Sequence, residues 1–141
     1  MIEIINRQRK RKINAKEWRE FADRALHAIG TDDHGASIVF VSDAAIKKLN
    51  CRFRAKNYAT DVLSFPSRRE RFEAEASANL GEVVISWDRA AAQAKESKLT
   101  ITNEVRQLIL HGLLHLCGYD HETDTGEMNR FELRLRKKLR I

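Results

Sequence analysis

Three of the chain's five histidines lie within one short segment, His111-Gly112-Leu113-Leu114-His115-Leu116-Cys117-Gly118-Tyr119-Asp120-His121. On a helix, residues four apart share a face and are separated by about 6 Å along the axis. His111 and His115 can therefore aim two imidazoles at one ion. Gly118 can adopt a left-handed conformation, end the helix and let the chain turn back with His121 as a third ligand. Three neutral nitrogen ligands suit one Zn²⁺ ion and leave a fourth position open. A single core histidine is more often satisfied by an ordinary hydrogen bond; three at this spacing around a glycine favour a shared metal. His27 and His34 lack such company and read as surface or capping residues.

The neighbours refine the site. Val105, Leu108, Ile109, Leu110, Leu113, Leu114 and Leu116 leave the helix little polar face, so it should be central and buried. Cys117 is the obvious residue to close a structural zinc site. It follows His115 by two residues, about 200° around the helix, and should point away into the core. The spacing His-x-x-x-His-x-x-Gly-x-x-His is also that of metzincin proteases, which carry a glutamate base directly after the first histidine. Gly112 occupies that position and argues against peptide hydrolysis.

The elements that must position these residues follow from periodicity and punctuation. Ile2 to Ile5 reads as a strand. Asn14 caps a helix with Glu17 as capping-box partner and Gly30 at its end; Trp18, Phe21, Ala22, Ala25 and Ile29 form its apolar face. Ser37 to Val41 is a strand, and Ser42 caps a short helix through Leu49. Val62 to Phe65, closed by the only proline, Pro66, reads as an edge or terminal strand. Ser67 to Asn79 is polar and reads as a mobile loop. Leu80 to Ser86 is a buried strand, Trp87 to Ser97 a helix. Thr102 is placed to cap the histidine helix, with Glu104 in its first turn, and that helix runs to about Cys117. A last helix covers Thr125 to Leu139, with Met128, Phe131 and Leu135 on one face. Four strands and about five helices without strict alternation predict an α+β domain with a mixed four-stranded sheet.

The 141 residues, 43% hydrophobic, suit one domain over residues 1–141 with a single core. No apolar run reaches the roughly 20 residues of a membrane helix, and the first residues do not resemble a secretory signal. The expectation is a cytoplasmic protein with two reduced thiols, Cys51 and Cys117. Of the net charge of +6, the first fourteen residues contribute +4 and residues 134–141 contribute +5, which leaves −3 for the rest. Terminal basicity of this kind suits a polyanion such as nucleic acid, or simply solvated faces.

With Gly112 in place, HGLLHLCGYDH resembles the YbeY family of bacterial rRNA-maturation endoribonucleases. LNCRFRAKNYATDVLSFP, from Leu49 to Pro66, is similar to that family's second signature, notably at Asn50, Phe53, Arg54, Thr60, Asp61 and VLSFP. LGEVVIS, Leu80 to Ser86, is a third match, with Glu82 where the family more commonly has aspartate. The resemblance implies a metzincin-like fold with a central metal-binding helix, one Zn²⁺ on His111, His115 and His121, and an essential arginine at Arg54. It further implies cleavage of single-stranded RNA, maturation of the small-subunit rRNA 3′ end and a part in ribosome quality control, with the ribosomal small subunit as partner.

Such chemistry explains the missing glutamate. Zinc lowers the pKa of water to about 7. The resulting hydroxide can attack phosphorus or take the proton of the ribose 2′-OH. Arg54 would clamp the phosphate, since its planar fork matches phosphate oxygens. Lys56 is a second phosphate-contact candidate and Arg52 a weaker one. Asp120 could orient a ligand histidine or cap the turn; Asp61 could do likewise, although a turn or strand-end role suits it equally. Tyr119 and Phe53 could stack on bases, with core packing the expected role for both, and Met128 reads as core. The competing functions are an RNA-binding assembly factor with a structural metal and a metal-dependent hydrolase of another substrate, such as a peptide.

Overall fold

The computed structural model describes residues 1–67, 79–119 and 125–141. The Asn14 side chain accepts a hydrogen bond from the Glu17 N–H and opens α1 (Ala15–Ile29), which Gly30 closes at φ 98°. The Glu17 carboxylate faces Arg106 at 3.9 Å, so the cap rests on Asn14 and Glu17 serves a different contact. Ser42 caps α2 (Asp43–Arg54) and Ser86 caps α3 (Trp87–Ser97) in the same manner. Helix α2 runs past Leu49 to Arg54, where Ala55 stops it in a left-handed conformation. That added length carries Arg54 to the site described below.

Two helix starts differ from the sequence expectation. Thr100, not Thr102, caps α4 (Ile101–Leu116): its backbone is extended and its hydroxyl accepts from the Asn103 N–H, while Thr102 is already helical. The last helix, α5 (Glu127–Leu139), starts two residues after Thr125, because Gly126 at φ 106° precedes it and Thr125 bonds to the Glu127 side chain. The expected 67–79 loop lies outside the described residues, apart from its ends.

The strands β1 (Ile2–Asn6), β2 (Gly35–Val41), β3 (Val62–Pro66) and β4 (Asn79–Ser86) form a mixed sheet in the order β1-β2-β4-β3. β1, β2 and β4 are parallel; β3 runs antiparallel to β4 on the edge, where Pro66 is tolerated. Alternation along the strands gives the sheet two buried faces. Ile38, Phe40, Val83 and Ile85 join Trp18, Phe21 and Leu26 of α1 and Val105, Ile109 and Leu113 of α4 in the larger core. Val39, Val41, Leu63 and Val84 pack with Ile46 of α2 on the other face. Helix α4 touches β3, β4, α1, α3 and α5, as its apolar circumference requires. No helix of the described residues is long and apolar enough to cross a membrane.

Candidate metal centre

His111 and His115 project from the side of α4 that is not sealed in the core, and both are partly exposed. Their Nε2 atoms lie 3.0 Å apart. Two nitrogens on a tetrahedral zinc, at about 2.0–2.1 Å from the ion, are separated by about 3.3 Å. The pair thus converges to within a few tenths of an ångström of a shared-ion arrangement. The other nitrogen of His111, Nδ1, lies 2.6 Å from Oε1 of Glu132, and Oε2 of Glu132 accepts from Arg136 Nη2 at 3.1 Å. His121 and Asp120 fall outside the described residues. Among the described residues two of the three expected ligands therefore come together, and no group of three metal-ligating side chains occurs.

Gly112 has a steric reason as well as a chemical consequence. A Cβ there would lie 2.5 Å from Val83 Cγ1 and 3.3 Å from Ser64 Oγ. Its carbonyl accepts from that same hydroxyl at 3.2 Å. The position is the contact between α4 and the sheet, so no base can project from it. Gly118 takes the left-handed conformation at φ 98° and ends the helix as its type predicts. Cys117 is a partly buried thiol. Burial pushes its thiol pKa up, and a hydrogen bond with Thr31, beyond the end of α1, opposes that shift.

A cavity of about 540 Å³ opens over the histidine pair, lined by Arg54, Ser64, His111, His115, Gly118 and Tyr119 among others. Arg54 reaches it from the last turn of α2 across the edge strand. Its Nη2 donates to the Ser64 carbonyl at 3.0 Å, and its guanidinium lies 5.5 Å from the Phe65 ring centroid. Lys56 is exposed just after α2 and is not part of the cavity lining. Arg52 lies over the Phe53 ring on the opposite side of β3 from this cavity. Phe53 is 50% exposed and touches Phe65 edge-on, so it is not the core residue expected. Tyr119 packs on Phe131 and Met128 is buried, both as expected. Asp61 serves the start of β3: its Oδ1 accepts from the Val62 N–H at 2.8 Å.

Glu132 is the site residue that sequence reasoning missed. The available signal was a carboxylate at helical spacing from Met128 and Leu135, on the buried side of α5. Behind His111 lies a second polar cavity, of about 230 Å³, bordered by Asp61, Glu104, Gln107 and Arg136. Burial, reinforced by Asp61 and opposed by Arg136, raises the pKa of Glu104.

Fold and site together define an α+β protein with paired histidines on a buried helix, facing an arginine across an open cavity. The sequence model of one family, described as Endoribonuclease YbeY, matches residues 3–140. Relatives named Endoribonuclease YbeY include one from Nautilia profundicola, 48% identical over 77% of this chain and 75% of its own, and one from Geobacter metallireducens, 37% identical over 96% and 91%. A Thermotoga maritima protein solved in solution matches with a TM-score of 0.66 at 29% identity, covering 99% of this chain and 89% of its own. The chain belongs to the Endoribonuclease YbeY family.

Proposed function

We propose that this chain is a zinc-dependent endoribonuclease that cleaves single-stranded RNA in the cavity between Arg54 and the histidine pair. The observation that carries this reading is that α2, β3 and α4 bring Arg54, His111 and His115 to one cavity. Family membership supplies RNA as the substrate class.

The residues present fit the metal. Two imidazole Nε2 atoms converge at 3.0 Å, and one ring is held from behind by a carboxylate, as metal-ligating histidines commonly are. His111, His115 and His121 would hold the ion. Bound there, zinc supplies Lewis acidity and makes water a nucleophile or base near neutral pH.

The protein's own groups bind and orient the RNA. Arg54 engages the carbonyls of Ser64 and Phe53 with part of its fork, which aims the guanidinium and leaves other N–H donors for a phosphate. Charge that builds on phosphoryl oxygens is stabilised by donors already in place. Lys56, exposed two residues past Arg54, contacts the phosphate backbone further along the strand.

Maturation of the small-subunit rRNA 3′ end, ribosome quality control, contact with the ribosomal small subunit and a cytoplasmic location belong to the same proposal. They rest on the family resemblance and the basic chain ends. The metzincin-like arrangement of ligands is proposed on the histidine spacing.

A cleavage assay on single-stranded RNA with wild type, His111→Ala and Arg54→Ala tests the reading. Cleavage by wild type alone supports it. Equal residual cleavage by all three marks contamination and sinks it. Tight RNA binding without cleavage points to an assembly factor, and peptide hydrolysis that disappears with His111 points to another hydrolase.

A further inference from the structure

Glu132 lies on the inner side of α5 and is 6% exposed. A carboxylate so placed is costly unless both oxygens find partners. Oε1 meets His111 Nδ1 at 2.6 Å, and Oε2 meets Arg136 Nη2, one helical turn on, at 3.1 Å. An ionised carboxylate only accepts, so Nδ1 must carry the hydrogen of this contact. The lone pair of a neutral His111 then resides on Nε2, the nitrogen turned toward His115.

We infer that Glu132 is a positioning residue: it selects the Nδ1–H tautomer of His111 and fixes the ring so that Nε2 faces the metal position, with Arg136 compensating the carboxylate charge. A plain buried ion pair would need only Arg136. The 2.6 Å contact ties the pair to the one ring nitrogen that decides which face of His111 can ligate. Helix α5, which supplies no ligand among the described residues, thereby becomes part of the metal centre. The inference rests on the metal reading above, but its first readout needs no metal.

In metal-free full chain with ¹⁵N-labelled histidine, long-range ¹H–¹⁵N spectra should show His111 protonated at Nδ1 and bare at Nε2. Glu132→Leu should shift that balance toward Nε2–H. Competition with a chromophoric chelator should show zinc binding about 10–100-fold weaker in Glu132→Leu than in wild type, the usual effect of removing a ligand's orienting partner, while Glu132→Gln, whose amide oxygen still accepts from Nδ1–H, should lose less. Arg136→Met should cause a smaller loss. Should Glu132→Leu not fold, Glu132→Met, similar in length but without the acceptor oxygen, carries the test, with the urea midpoint confirming its fold. A wild-type His111 protonated at Nε2, or a folded Glu132→Leu or Glu132→Met that binds zinc within about threefold of wild type, overturns the inference. Wild type that binds no zinc overturns the metal reading itself, a result the first two outcomes do not mimic.

Discussion

Gly112 and Val83 meet where α4 crosses β4, so closely that a Cβ on the glycine would sit 2.5 Å from the valine Cγ1. Val83 is fully buried on a central strand and has no space to retreat. Gly112→Ala should therefore overpack the core, at a cost of about 1–3 kcal/mol, against a helix-propensity gain of about 1 kcal/mol. A lowered urea midpoint is the expected result. Combining it with Val83→Ala should recover part of the loss, because the two positions share one contact. Independent, additive effects would show that the crossing is looser than described. Gly112→Glu should unfold the domain rather than install a protease base.

Arg54 is exposed, so its removal should barely touch stability, within about 0.5 kcal/mol. Its effect should fall on RNA cleavage. Loss of a preorganised donor to developing charge lowers kcat by about 10²–10³. Arg54→Lys should recover little, since a point charge cannot both hold the Ser64 carbonyl and fork onto phosphate. Steady-state kinetics on a short RNA separates the outcomes. A change confined to KM would make Arg54 a binding residue with no role in the chemical step.

Zinc should stabilise the folded chain by mass action. At 100 times Kd the gain is about 2.7 kcal/mol, a clear rise in melting temperature. His115→Ala should remove most of that rise while keeping the metal-free fold, because the His115 ring lies at the cavity and not in the sealed core. Calorimetry with and without zinc reads both. A zinc-induced shift that persists in His115→Ala would place the ion elsewhere.

How much of this was legible in the sequence depends on how local each feature is. The His111 and His115 pairing follows from one helix's periodicity, and Gly118 from its own conformational freedom, so both were readable. The mixed four-stranded sheet was readable in content, but its order was not, since strand pairing is a long-range property. Arg54 entered only through resemblance: its approach to the histidines depends on α2 running one turn further and crossing β3. Glu132 went unread because one carboxylate near Met128 and Leu135 looks like the rim of an apolar stripe; only the packing of α5 on α4 turns it inward. The same packing takes Arg136 out of the supposedly free basic C-terminal stretch.

Glu104, which borders the cavity behind His111, offers a pH test that reads stability. Its side chain is 8% exposed on the first turn of α4. With its amide nitrogen turned toward them, Gln93 donates to Glu104 Oε1 and Asp61 Oδ2 at 3.0 Å each. Burial, then the Asp61 charge, raise the Glu104 pKa above the usual 4.5, with Arg136 opposing. A carboxyl whose folded pKa is raised binds its proton more tightly in the folded state than in the unfolded one. Its contribution to stability is therefore present below the unfolded pKa and is lost as pH rises through the folded value. Above that window the ionised group is a standing cost. Glu104→Gln keeps the shape and the acceptor oxygen for Gln93 while removing the charge. It should be more stable than wild type at pH 7, and the advantage should shrink as pH falls toward about 4.5. Paired urea titrations across that range read the difference directly. A variant less stable than wild type at pH 7, or an advantage that grows on acidification, would mean that Arg136 outweighs burial at this carboxylate.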